Sequence, residues 1–345
     1  MAVVNTKGQS IKSTLLILWL ILVCILLLNL AVGAVTIPWA RFSTALKEIF
    51  SASAPTWGAD AVIIWRLRLP RALLAAAVGA ALATAGAVLQ GLLRNGMADS
   101  YVLGVSSGAS VGAAIAMLLG LNFRIFGLGA IAPAAFLGAL LALLVVIGIS
   151  KSIAGKSTLG LLLAGIALSS FLSAVVSLLV YFSRDRIQPL IFWLMGGFSA
   201  RGWNHLGLML PYLVVGFSLA LLYNRHLTAI SLGDAPAHHM GVDVEKSRMI
   251  LLCSSALLTA ASVAVSGVIG FVGLMIPHIA RMFVGYNYRR LLPASALVGA
   301  IFLSLADLLA RMVIRPSELP VGVITALCGG PFFLYLLAKR SKEVL

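Results

Sequence analysis

Residues 13–35 read Ser-Thr-Leu-Leu-Ile-Leu-Trp-Leu-Ile-Leu-Val-Cys-Ile-Leu-Leu-Leu-Asn-Leu-Ala-Val-Gly-Ala-Val, a run without a single charge. A helix needs about 20 apolar residues to cross a hydrocarbon core of about 30 Å, and this run is long enough. Lys7 and Lys12 precede it, which gives it the flanks of a signal sequence. Its apolar stretch is much longer than the roughly 7–15 residues of a signal-peptide core. The expectation is an uncleaved first span that starts on the cytoplasmic side.

The same pattern recurs outward from that segment. Hydrophobic residues make up 61% of the 345-residue chain and charged residues 10%, with mean hydropathy +1.08. A soluble domain carries about 25% charged residues, so this chain cannot cover a water-facing surface. Fibrous, disordered and disulfide-rich classes are excluded by the apolar content and by a count of three cysteines. The expected fold class is an all-α polytopic membrane protein. Further spans read as Ala72–Leu93, Val102–Leu121, Gly127–Ser150, Thr158–Phe182, His205–Tyr223, Ile250–Val268, Phe271–Val284, Leu291–Ile314 and Pro320–Leu337, about ten transmembrane helices in all. Pro277 and His278 interrupt the eighth. Residues 1–12 then form a cytoplasmic N-terminus, 13–338 a single transmembrane domain, and 339–345 a cytoplasmic C-terminus with Lys339, Arg340 and Lys342.

The formal net charge of +15 reports orientation before it reports any nucleic acid, and none is expected as a partner. The basic residues divide fourteen inside to eleven outside, a weak bias toward this orientation. The outside set is almost entirely arginine, opposed by Glu48, Asp60, Asp185 and Glu318. Arginine is the cation suited to bidentate carboxylate pairing. Trp39, Trp57, Trp65, Trp193 and Trp203 fall in the same segments, as an interfacial belt in a lipid bilayer requires.

Two loops are long. Thr36–Arg71 lies outside. Arg225–Arg248 lies inside and reads as structured: Gly233-Asp234-Ala235-Pro236 places a cap-like acid and a proline at the start of a short helix that Gly241 would end. A short helix held on the cytoplasmic face is suited to docking.

Motifs for covalent chemistry are weak. Ala154-Gly155-Lys156-Ser157-Thr158 resembles the end of a phosphate-binding loop, but Ser150 stands where its first glycine belongs. It reads better as a turn between spans four and five. The five histidines, His205, His226, His238, His239 and His278, have no zinc-ligand spacing, and His238–His239 point to different helix faces. No metal and no catalytic residue is expected. Cys24, Cys253 and Cys328 read as small buried hydrophobes.

Asp307 is the one acid well inside a span, and Arg311 lies four residues on, positioned to pair with it. That charge pair reads as structural rather than as a proton relay. Ser169, Ser173 and Ser177 repeat every four residues in span five and are candidates to line a path; Ser255, Thr259, Ser262 and Ser266 share a face of span seven. Such stripes serve equally as packing positions. Gly104, Gly108 and Gly112 form a small-residue ridge for which packing is the better reading.

Six separated blocks together resemble the permease subunits of ABC importers for iron chelates, haem and vitamin B12. They are Arg68-Leu69-Pro70-Arg71; Gly79 through Gln90 into Arg94-Asn95; Leu103 to Gly108; Trp193-Leu194-Met195-Gly196; Gly270 to Arg281; and Glu318-Leu319-Pro320-Val321-Gly322. Two departures stand out. Gly96-Met97-Ala98-Asp99-Ser100 replaces the family's Pro-Leu-Ala-Asp-Pro, and Ala235 replaces a second acid after Asp234.

The resemblance implies a type II importer permease in the bacterial cytoplasmic membrane, pairing with a second permease subunit around a central path. Two ABC ATPase subunits would sit below and an extracytoplasmic substrate-binding protein would dock from outside. It implies that Arg68, Arg71 and Arg311 receive acids of the binding protein, and that Gly233, Asp234, Ala235 and Gly241 belong to the segment that seats in the ATPase. On that reading the chain binds no cofactor, performs no covalent chemistry, and leaves ATP to its partner. The expected cargo is a ferric siderophore or related chelate, with haem or vitamin B12 as the alternative. A proton- or sodium-coupled secondary transporter using Asp307 and a lipid-active membrane enzyme are the readings from other classes.

Overall fold

The computed structural model describes residues 11–33, 35–51, 57–125, 127–153, 158–183 and 186–344. Its helices, in chain order, are α1 (Ile11–Ala31), α2 (Trp39–Ser51), α3 (Ala59–Leu92), α4 (Val105–Leu118), α5 (Ile131–Ile153), α6 (Thr158–Phe182), α7 (Ile187–Leu194), α8 (Trp203–Leu222), α9 (Asn224–Leu232), α10 (Asp234–His239), α11 (Val244–Ser266), α12 (Val272–Val284), α13 (Tyr288–Met312) and α14 (Val321–Val344). Among the described residues the strands amount to one antiparallel pair, Arg124–Ile125 against Leu128–Gly129. Seven helices are long and apolar enough to cross a membrane, and the shorter apolar segments Val105–Leu118, Val272–Val284 and Val321–Leu336 complete a set of ten. These follow the ten expected spans in order.

The expected Thr36–Arg71 loop is largely helical. The amphipathic α2 lays Phe42 and Ala45 against Ala61 and Ile64. The second span starts at Ala59 instead of Ala72, through a π-helical turn over Ile63–Arg68. The arginines in Trp65-Arg66-Leu67-Arg68 conceal this extension from a hydropathy reading.

Helix α3 is the axis of the bundle, buried on nearly every side. Its sequence, Ala-Ala-Ala-Val-Gly-Ala-Ala-Leu-Ala-Thr-Ala-Gly-Ala from 75 to 87, is built of small residues. Lipid tails are as apolar as leucine, so helices in a membrane gain by close approach rather than by hiding oil from water. At Gly79 the approach is backbone to backbone: a Cβ there would strike the Gly299 carbonyl of α13, and one on Gly299 would strike Gly79. Gly86 meets Gly273 of α12 in the same way.

The expected glycine ridge is a packing seam. Gly108 and Gly112 of α4 lie against Gly138 and Ala134 of α5. Gly104 is not part of that seam; with φ of 75° it ends the 3-10 turn Ser100–Leu103 in the left-handed region. The hydroxyl stripe on α11 is buried and bonds to its own helix: Ser255 to the Leu252 carbonyl, Thr259 to Ser255, Ser262 to Leu258, Ser266 to Ser262.

All three cysteines are exposed on helix surfaces, not buried, because the outer face of a bilayer helix tolerates the residues a core does. Trp193 is buried with its indole N–H unbonded; it belongs to the core, whereas Trp57, Trp65 and Trp203 cluster, with Trp65 and Trp203 5.4 Å apart.

Candidate functional site

At one end of the bundle the three arginines singled out by sequence come together. Arg68, on the π turn, is 5% exposed. It donates to the carbonyls of Leu30 and Ala31 at 2.7 and 2.8 Å, and to that of Val35. These are the last carbonyls of α1 and the chain just beyond it, which have no intrahelical partner. Arg68 therefore closes the end of the first span.

Arg71 spends its whole fork on two acids. Nε and Nη2 donate to Asp307 at 2.8–3.2 Å, and Nη1 to both oxygens of Glu318 at 2.9 and 3.0 Å. Asp307 is fully buried. The expected i,i+4 pair is present, with Arg311 Nε 3.2 Å from Asp307 Oδ2, but Arg71 from a different helix shares the same carboxylate. Arg311 also donates to Asn29 Oδ1, and Asn29 donates to the Ile25 carbonyl at 2.9 Å. Four segments, α1, α3, α13 and the loop carrying Glu318, are joined by one buried polar network. Sequence reasoning missed Asn29, although a lone amide in an otherwise unbroken apolar span is the signal that marks it.

A cavity of about 250 Å³ opens beside this network, lined by Arg68, Arg71, Arg311 and Glu318 together with Arg201, Phe198 and neighbours. Arg201 was not singled out by sequence. It follows the left-handed Ala200 (φ 56°), beyond Phe198, which is wholly buried. Its Nη1 lies 3.1 Å from His205 Nε2, and its Nε is buried with no hydrogen-bond partner among the described residues. Burial pulls the Arg201 guanidinium down from its ordinary value.

The 24 residues of α3 from Leu69 to Leu92 span about 36 Å, which sets the second candidate region at the opposite end. There Arg94 reaches Asp234 at 3.8 Å, and Arg248 donates to both Asp234 oxygens at 2.8 and 2.9 Å. Gly233 (φ 136°) and Gly241 (φ 76°) bracket α10, as their sequence spacing suggested. Asp234 makes no capping bond to its helix; it holds α10 to α11 through Arg248 instead. Ala237 is buried, while Ala235, Pro236, His238, His239 and Met240 are exposed. The short helix is thus a plugged-in knob with a free outer face. Of the phosphate-loop-like segment, residues 154–157 lie outside the described residues, as do Lys7, Arg184 and Asp185, while Thr158 begins α6.

Between the two ends, helix termini converge. Gly197 N–H donates to the Ser266 carbonyl at 2.7 Å, and Gly267 and Gly322 pack against the backbones of Trp193 and Met195. The opening beside them holds about 530 Å³ and is lined mostly by apolar groups, among them Leu194, Met195, Phe271, Leu274 and Val323. Tyr101 and Asp99 stand at its edge. The Asp99 carboxylate accepts from Ser100 N–H at 2.7 Å, and Asn95 Oδ1 from Met97 N–H at 2.9 Å, so this turn is pinned without the two prolines. Ser169 donates to the Tyr101 carbonyl at 3.2 Å and so reaches this region; Ser173 lies on the exposed side of α6, where Ser177 donates to its carbonyl at 3.1 Å. Below the opening, Gln90 donates to the Gly273 and Leu274 carbonyls at 3.1 Å and accepts from Arg281 at 2.6 Å, joining α3 to α12.

A bundle of about ten apolar helices, polar at its two ends and smooth between them, defines a multi-pass membrane permease. The chain belongs to the FecCD transport family, whose pattern matches residues 20–339. It is 44% identical over 309 residues to the cobalamin import system permease protein BtuC of Halobacterium salinarum, covering 90% of this chain and 82% of that one. It is 41% identical over 335 residues to the hemin transport system permease protein HmuU of Yersinia pestis, covering 92% and 95%. A solved structure described as an inward-facing metal-chelate type ABC transporter superposes with a TM-score of 0.82 at 34% identity, covering 95% of this chain and 99% of the other.

Proposed function

We propose that this chain is the translocating subunit of an ATP-driven importer that brings a metal–organic chelate into the cell. Two such subunits would enclose the path, with a pair of ATPases on the α10 side and an extracytoplasmic binding protein on the arginine side. The observation that carries this reading is the pairing of a basic, cavity-bearing end with a clamped, exposed helix at the other end. One suits an acidic protein partner; the other transmits motion from a second partner. The apolar opening at Met195, Phe271 and Val323 suits a bulky cargo that passes without being gripped.

The ferric siderophore expected from sequence is one member of that cargo class. The relatives named for cobalamin and hemin favour a metal tetrapyrrole as the first cargo to test. The test is uptake into proteoliposomes holding the complete importer. Cyanocobalamin, haemin and a ferric hydroxamate are each delivered by the binding protein, with and without internal ATP. Accumulation of one of them that requires both ATP and the binding protein is expected. Accumulation driven by a pH or sodium gradient without ATP would overturn the proposal and restore Asp307 as a coupling site.

A further inference from the structure

Arg289 and Arg290, at the start of α13 on the α10 end of the bundle, take no part in the contacts described above. Both are exposed. Their backbone N–H groups are engaged, donating to the Asn287 side chain and carbonyl at 3.0 and 2.9 Å. Among the described residues neither guanidinium has an ion pair or a hydrogen bond. Helices α12 and α13 supply no counter-charge nearby: no Asp or Glu occurs between Glu245 and Asp307, and Asp307 lies toward the other end of α13. Arg281, by contrast, is committed, donating to Gln90 and lying 6.0 Å from the Tyr286 ring.

The surface next to these two cations is apolar. The end of α12 and the turn after it expose Met282, Phe283 and Tyr286. On the other side α1 packs on α13, with Asn29 donating to the Ser304 carbonyl at 3.4 Å. Both helices end at the arginine cavity, so they run parallel. Stepping back equally along each from that contact sets Ser13 at the level of Tyr288. Lys12, also exposed, therefore stands near the level of the two arginines, and deeper in the membrane Leu16, Trp19 and Leu20 are exposed. Cations above bare apolar side chains, with a tyrosine at the boundary, complement a lipid: guanidinium meets phosphate, and the apolar groups meet acyl chains.

We propose that Arg289 and Arg290, with Lys12 at their level, hold the headgroup of an anionic phospholipid in the leaflet on the α10 side, its chains lying along α1 and α12. The lipid would anchor the start of α13, the helix that meshes with α3 through Gly299. This depends on the chain spanning a bilayer and not on its cargo.

The complete importer, purified in detergent, is titrated with phosphatidylglycerol, and bound lipid is counted by native mass spectrometry. Arg289→Gln combined with Arg290→Gln is expected to raise the apparent Kd of the tightest phosphatidylglycerol at least about tenfold and to leave phosphatidylcholine binding unchanged. Arg289→Lys combined with Arg290→Lys should keep most of the affinity, because a phosphate is held by charge as well as by the guanidinium fork. A second measurement on the unaltered protein covers the case in which a variant fails to assemble. A phosphatidylglycerol with a photoreactive diazirine near its headgroup, in liposomes holding the importer, should label residues 282–290, and unlabelled phosphatidylglycerol should displace it.

Unchanged phosphatidylglycerol affinity in the assembled glutamine variant overturns the proposal, as does photolabelling that misses residues 282–290 because an ATPase covers them. Equal displacement by phosphatidylcholine reveals an unselective lipid annulus, and displacement by inorganic phosphate reveals a site for a soluble anion; either result overturns it. None of these outcomes bears on ATP dependence or cargo, which the uptake experiment decides separately.

Discussion

Asp307 makes the largest individual demand on the structure. It is a carboxylate with no exposed surface, and Arg71 and Arg311 both close on it. Breaking a buried ion pair by removing one charge costs about 3–5 kcal/mol. Asp307→Asn is therefore expected to lower thermal stability of the purified protein in detergent and its yield, with Arg71→Gln behaving alike; a variant of normal stability that no longer transports would show a direct part in the cycle. Asn29→Leu tests the periphery of the same network. It leaves Arg311 without its amide acceptor and should cost about 1–3 kcal/mol by the same thermal measurement.

Sequence alone made Asp307 and Arg311 visible, because a four-residue spacing on one helix is a local fact. The third member, Arg71, lies 236 residues from Asp307 along the chain, and no periodicity links them. Only the family resemblance had set Arg71 beside Arg311, and it did so as a docking residue. Nothing local in the sequence set Arg201 over the same cavity as Arg68, Arg71 and Arg311, because the turn that carries it there is a matter of tertiary packing.

Among the elements, the spans were legible because hydropathy is a property of neighbours in sequence. The hidden part was the beginning of α3, where Arg66 and Arg68 break the apolar run although Arg68 is buried against α1. The short helix α10 was also legible, from a glycine on each side, but its fastening was not. Asp234 caps nothing; it is clamped by Arg248 and approached by Arg94. Asp234→Lys would face those two cations and should free α10 from α11. Uptake per ATP hydrolysed by the complete importer is then expected to fall at least about tenfold, if α10 carries the stroke. Uptake at the normal ratio would remove α10 from that role. At the α3–α13 crossing, Gly79→Leu cannot be absorbed by side-chain rotation, since the obstacle is the Gly299 backbone. Size-exclusion chromatography should show aggregated material in place of a single species.

Over the whole molecule, coverage is uneven. Helix α3 is enclosed by protein, whereas α6 presents Leu163, Phe171, Leu178 and Phe182 outward. In a bilayer such a face needs only lipid or another apolar helix, so its exposure is no fault in packing. A cysteine placed at Ser177, on that face, should cross-link to its counterpart in membranes if the second permease subunit covers it there, and should stay monomeric on non-reducing gels if lipid does.

The hydroxyls of α11 have a mechanical consequence. Because Ser255, Thr259, Ser262 and Ser266 all bond inward to their own helix, and Thr84 of α3 does the same, none of these hydroxyls ties α11 to α3; the described polar link between them lies at one end, where Asp234 is shared by Arg248 of α11 and Arg94 just past α3. Ser254 reaches sideways instead, fastening α11 to the Gly216 carbonyl of α8 at 2.7 Å. Helices α8 and α11 are thus joined by a polar bond between them, and glycine-to-glycine contact keeps α3 and α13 in mesh. If these helices move against one another, shear is expected along the α11–α3 contact sooner than across the α8–α11 bond or the α3–α13 glycine crossing.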